Sequence, residues 1–172
     1  MILKNGITGF TGADLSLERD WVTLRAEFKK NCALYVQQLN GKFLTWYEPD
    51  FDSHYAHAHV EIEGIEFYIF YNTMYDYIAF STNRAIGDLK FIDHPLMKAQ
   101  FENRYQVLAA SDLDEPLVRQ AKDSGQIILP EEAFKNDECR AIDYILLNEN
   151  EIGFMNYFWS CTVGDLVFNY WD

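Results

Sequence analysis

Three of the chain's four histidines, His54, His57 and His59, fall within six residues, and Glu61 and Glu63 follow at once. Along a strand successive side chains alternate between faces, so His57, His59, Glu61 and Glu63 are expected on one side. Two imidazoles at i and i+2 with a carboxylate nearby can chelate a divalent ion, and Glu63 is the carboxylate placed to join them. A polar outer face of an amphipathic strand accounts for the same residues without any ligand, because Ala58, Val60 and Ile62 alternate with them.

The segment His57-Ala58-His59-Val60-Glu61-Ile62-Glu63 resembles part of the first cupin motif, His-x-His-x3-Glu. The likeness covers seven residues. Phe51 stands where the leading glycine of that pattern belongs and Phe70 where the trailing one does, and no second motif surrounds the remaining His94. The resemblance implies a small β-barrel holding a divalent ion through His57, His59 and Glu63, in a metal- or small-ligand-binding protein or an enzyme.

A second theme is aromatic rings beside acids. Trp46, Tyr47, Glu48, Asp50 and Asp52 crowd a segment interrupted by Pro49, and Tyr75, Asp76 and Tyr77 follow a turn. Tyr and Trp concentrate binding energy at protein interfaces, and carboxylates around them suit a basic partner. Core packing competes for each ring. Asp93-His94-Pro95 holds an acid next to an imidazole, but neighbours on an extended chain point apart, so a turn before a short helix explains it better.

Net charge is −13, from 14 basic and 27 acidic residues. Residues 1–42 hold six basic and four acidic side chains, so the rest of the chain holds eight and 23 and carries −15. Direct binding to nucleic acid is disfavoured, since phosphates need clustered Lys and Arg. A basic protein partner is favoured. Cys32, Cys139 and Cys161 are odd in number and far apart, which reads as three buried thiols in a reducing, cytoplasmic setting. No h-region follows Met1, and no apolar run approaches the length of a membrane-spanning helix.

No repeat or Pro/Gly/Ser-rich linker divides the 172 residues, which predicts a single domain over 1–172. Trp21, Leu24, Phe28, Cys32, Tyr35 and Leu39 recur at three- and four-residue spacing, predicting a long helix over 17–39 capped by Ser16 or Asp20. Four strands are expected between Lys42 and Ser81, with turns near 49–53, at Glu63-Gly64 and at Asn72-Thr73. Beyond them come a short strand over 89–92, a helix over 95–102 and a strand over 105–110. A helix with Pro116 in its first turn and Asp112 or Asp114 as cap follows, then an extended stretch over 126–129 and a helix opening at Pro130. Strands over 141–147, 153–161 and 166–171 complete the expectation. The absence of a regular βαβ rhythm makes the fold class α+β: a largely antiparallel twisted sheet, with the long helix and short helices packed on one side of it.

Binding is favoured over catalysis as the role of this chain. The expected function is a non-catalytic acidic protein-binding domain, of the character of small bacterial immunity proteins that inhibit a basic toxin or nuclease, contacting it through Trp46, Tyr47, Glu48, Asp50, Asp52, Tyr75, Asp76 and Tyr77 with no cofactor.

Overall fold

The structure, a computed structural model, describes residues 3–4, 6–9, 20–49, 54–85, 88–117, 119–121, 127–128, 139–141, 147–157 and 162–168. Helix α1 (Trp21–Gln38) starts where Asp20 caps it, Oδ1 accepting from Thr23 N at 3.1 Å and Oδ2 from the Thr23 hydroxyl at 2.6 Å. A side-chain oxygen at this position satisfies an amide that has no partner within the helix. Phe28, Cys32 and Val36 form its buried stripe. Ser16, the other candidate cap, lies outside the described residues.

Strands β1 (Lys42–Tyr47), β2 (Tyr55–Ile62), β3 (Ile65–Asn72) and β4 (Tyr77–Ser81) follow as the expected antiparallel meander, and β5 (Phe91–Ile92) extends it. After helix α2 (Pro95–Phe101), strand β6 (Gln106–Val107) pairs with the start of β4 in parallel. The sheet is therefore open, in the order β1-β2-β3-β4-β5, and not closed into a barrel. Its β2–β3 turn has Glu63 at φ +53° and Gly64 at +78°, the two left-handed residues that suit a two-residue hairpin to strand twist.

Both faces of this sheet are covered, where helices on one side were expected. On the first face Ala58, Val60, Ile62, Phe67, Ile69, Tyr71, Ile78 and Phe80 pack against α1, α2 and Tyr105. Phe28 sits at its centre, stacked on Tyr71 with ring centroids 4.4 Å apart. Truncation of so buried a ring typically costs about 3–5 kcal/mol. On the second face Tyr55, Phe70, Tyr77, Ala79 and Phe91 are covered by residues from the N-terminal loop and from three short helices.

Those helices are α3 (Ala110–Leu113), α4 (Glu149–Tyr157) and α5 (Val163–Val167), and they replace elements expected otherwise. The segment expected as a strand over 153–161 is helical as far as Tyr157. Asn148 Oδ1 caps it by accepting from Glu151 N at 3.0 Å, and Glu151 and Met155, four apart, form its buried side. The strand expected over 166–171 gives way to α5, opened by a capping box in which Thr162 and Asp165 exchange side-chain-to-backbone bonds. No helix carries Pro116 in its first turn: α3 ends before it, Pro116 bridges to Thr162, and Arg119–Ala121 is a strand. That strand, β7, pairs on either side with β8 (Ile127–Ile128) and β9 (Cys139–Ala141). The helix expected to open at Pro130 lies outside the described residues. No described helix is long and apolar enough to cross a membrane.

Candidate functional site

The second face of the sheet is covered over β3 and β4 but left partly open at its β1–β2 corner. Strand register places Tyr47, His57 and Phe70 in one row, and Thr45, His59 and Tyr68 in the next. Across the first row the rings stack, Tyr47 on His57 at 4.5 Å and His57 on Phe70 at 5.0 Å, each pair within 15° of parallel. In the second row His59 lies 4.5 Å from Tyr68, and its Nε2 is 2.9 Å from Glu66 Oε2. The Arg84 guanidinium, from the loop after β4, lies over the Tyr47 ring at 4.4 Å. Burial, then the nearby charges of Arg84 and His59, hold the His57 imidazole down at about 4 instead of the ordinary 6.5. His57 is thus neutral at neutral pH, and its Nε2 is buried with no hydrogen-bond partner among the described residues.

This corner unites residues drawn from both sequence readings, Tyr47 from one and His57 and His59 from the other. Glu63 is not with them. It lies in the exposed β2–β3 turn beyond the strand end, and Glu66 rather than Glu63 is the carboxylate at His59. Among the described residues no three His, Cys, Asp or Glu side chains are grouped closely enough to hold a metal ion.

Among the described residues, the aromatic-acidic segments are not gathered into one patch. Trp46 turns to the first face, its ring 5.9 Å from Phe28, while Tyr47 lies on the second. Glu48 accepts from Trp46 Nε1 at 2.6 Å and lies 3.6 Å from Arg25 Nε of α1. Tyr75 is half-buried, Tyr77 is buried in the core, and Lys4 lies 5.4 Å from each ring centroid. Asp76, at φ +55°, accepts the Tyr71 hydroxyl. Burial at 1% exposure removes Tyr77 as a contact residue. Asp50 and Asp52 lie outside the described residues. Asp93 and His94 diverge as the turn reading implies: Asp93 accepts from Ala110 N, whereas His94 caps α2 and rests on Phe67.

A cleft that sequence reasoning missed lies at the opposite edge of the sheet, beside β5. The loop entering β5, the end of α3 and the start of α5 enclose about 390 Å³ lined by Asp88, Leu89, Lys90, Phe91, Asp114, Thr162 and Asp165. Leu89 and Phe91 supply its apolar lining and three carboxylates its charge. Lys90 is the one cation among its described lining residues, 2.6 Å from Asp88, and that contact holds the ammonium pKa up. Asp114 was expected to cap a helix N-terminus; it stands instead at the C-cap of α3, where the helix dipole gives a carboxylate no support. The three acids come from segments remote in sequence, so no local spacing could reveal their convergence.

Comparison with protein-family models, with curated proteins and with solved structures finds no match for this chain, so the geometry of its own residues carries the functional argument.

Proposed function

We propose that this chain is a non-catalytic binding domain for a basic protein, and that a lysine or arginine side chain of the partner enters the cleft bounded by Asp88, Asp114 and Asp165. The observation that carries this reading is the cleft itself, in which three carboxylates and one lysine surround an apolar lining. Such a lining accepts the methylene stem of a long cationic side chain while the carboxylates pair with its head. The overall charge of −13 supports the same partner class, since a field of one sign steers an oppositely charged protein and raises its association rate by roughly 10 to 10³ at low salt. Inhibition of the immunity type, in which an acidic domain covers the cleft of a basic toxin or nuclease inside the cytoplasm, is the specific role that suits this chemistry.

The test is retention of proteins from the source lysate by the wild-type chain and by the double variant Asp88→Lys/Asp114→Lys, washed at low and then high salt. Both side chains are exposed, so the substitutions spare the core. A basic protein held by the wild type, released by salt and lost from the variant is expected. Equal retention by the variant removes the cleft assignment, and recovery only of acidic or neutral partners removes the basic-partner reading.

A further inference from the structure

Lys90 and Asp88, both in the wall of the acidic cleft, lie on the short return between β4 and β5, and one side chain fixes the backbone of each. Asn83 Nδ2 donates to the Asp88 carbonyl at 2.9 Å, and Asn83 Oδ1 accepts from Lys90 N at 3.1 Å. The Lys90 carbonyl is held in turn, accepting from Thr82 N at 3.0 Å and from the Ser81 hydroxyl at 2.9 Å. With the backbone tied on both sides, what can still move is the flexible side-chain stem, and it brings Nζ to 2.6 Å from Asp88 Oδ1. The hydrogen bond to Asp88 holds the ammonium pKa up and the charge of Asp114 adds to it, so this cation feels carboxylates from two walls of the cleft. The third, Asp165 in the first turn of α5, is committed to Thr162 N at 2.9 Å. Asp88 and Asp114 are thus the acceptors that an incoming cation would contest with Lys90.

We infer, resting on the reading of this cleft as a site for a basic side chain, that Lys90 is its built-in occupant: the ammonium holds Asp88 in the free chain, and the partner's cation displaces it on binding. An apolar lining beside carboxylates is what the stem and head of a lysine require, and Lys90 is a lysine already in place. The contact is weak enough to yield. Its two side chains are 62% and 64% exposed, and an exposed ion pair contributes little against water and salt. A guanidinium, whose planar fork spans both oxygens of a carboxylate, replaces the point contact of the ammonium with a stronger one. A surface without a cation offers nothing in exchange and leaves the Lys90–Asp88 pair closed. Lys90 therefore raises the affinity a partner must bring, and selects for a cation that outcompetes an ammonium.

The experiment is an NMR titration of the full chain with n-butylguanidinium, and with n-butylurea as its uncharged counterpart. The Lys90 Nζ resonance is expected to move as the cation saturates the wild type. Lys90→Gln is expected to bind it about two- to fivefold more tightly, the effect of removing an exposed ion pair, with the thermal midpoint unchanged. Lys98→Gln removes the same charge from the exposed side of α2, which covers the opposite face of the sheet, and is expected to leave the affinity as it was. Asp114→Asn is expected to weaken binding in the wild type and in Lys90→Gln alike. If the cation binds and Asp114→Asn weakens it, but Lys90→Gln only equals the wild type or Lys98→Gln gains as much, the inference fails and the cleft reading stands. If the cation saturates neither the wild type nor Lys90→Gln, if n-butylurea binds as well, or if Asp114→Asn changes nothing, the cleft reading fails and the inference with it.

Discussion

Thr8 and Glu151, 143 positions apart, are joined twice: Glu151 Oε1 accepts from Thr8 N at 3.1 Å and from its hydroxyl at 3.0 Å. The other oxygen accepts from Gly6 N at 2.9 Å, and from the Asn148 amide N–H and side chain at 3.0 and 2.9 Å. Fully buried, this carboxylate ties the N-terminal loop to the first turn of α4. Nothing in the local sequence Asn148-Glu149-Asn150-Glu151 marks this acid as buried.

Glu151→Ala leaves several buried donors without an acceptor, each worth about 1–3 kcal/mol. Urea unfolding is expected to show a loss of about 3 kcal/mol or more, and Thr8→Val, which deletes one of the bonds, a loss of about 1 kcal/mol. A change of less than half a kilocalorie in Glu151→Ala (about 0.5 kcal/mol, the size of a neutral surface change) would mean that the loop is not held by this residue.

His54 and His57 bring a pH dependence. Burial lowers each pKa from 6.5 to about 4, opposed in His54 by the bond between Nε2 and the Val167 carbonyl. Between those values the unfolded chain binds protons that the folded chain does not. Stability from this source is complete above pH 6.5 and is lost as pH falls toward about 4, at a slope of at most about 1.4 kcal/mol per pH unit for each ring. Imidazole resonances followed by NMR should show two midpoints near the lower value, and His57→Gln should flatten the slope of unfolding free energy against pH. Midpoints at the ordinary histidine value would contradict the burial of these rings.

Gly164 in α5 marks a close approach. A Cβ there would stand 2.2 Å from Phe91 Cε2 and 3.1 Å from the Leu113 carbonyl oxygen. Gly164→Ala is therefore expected to destabilise the fold by about 1–3 kcal/mol, the usual cost of overpacking. Combining it with Phe91→Leu should recover part of that loss, and a thermal midpoint unchanged by the single substitution would show that α5 does not press on the sheet.

The hairpin turn at Glu63-Gly64 yields a contrasting pair. Glu63→Gln keeps the turn backbone and should leave metal content and stability unaltered, since Glu63 stands apart from His57 and His59. Gly64→Val should cost more than 1 kcal/mol (roughly the penalty of a β-branched residue at positive φ) in thermal or urea unfolding. Loss of bound metal in Glu63→Gln would restore the chelate reading.

Periodicity alone determined α1 and the meander from Lys42 to Ser81, because Phe28, Cys32 and Val36, and Ala58, Val60 and Ile62, are patterned by elements that each bury one side. The Asp20 cap and the Glu63-Gly64 turn were equally local and equally legible. Residues 149–168 misled for a physical reason: their aromatic and branched residues favour strands in isolation, and short helices there owe their stability to side-chain caps at Asn148 and Thr162 and to burial against the sheet. The candidate sites belong wholly to tertiary structure. Tyr47, His57 and Arg84 meet through strand register and a folded-back loop, and Asp88, Asp114 and Asp165 through the packing of three separate segments. Sequence spacing constrains neighbours within one element, whereas these contacts are set by which face each element buries and by what then lies across it.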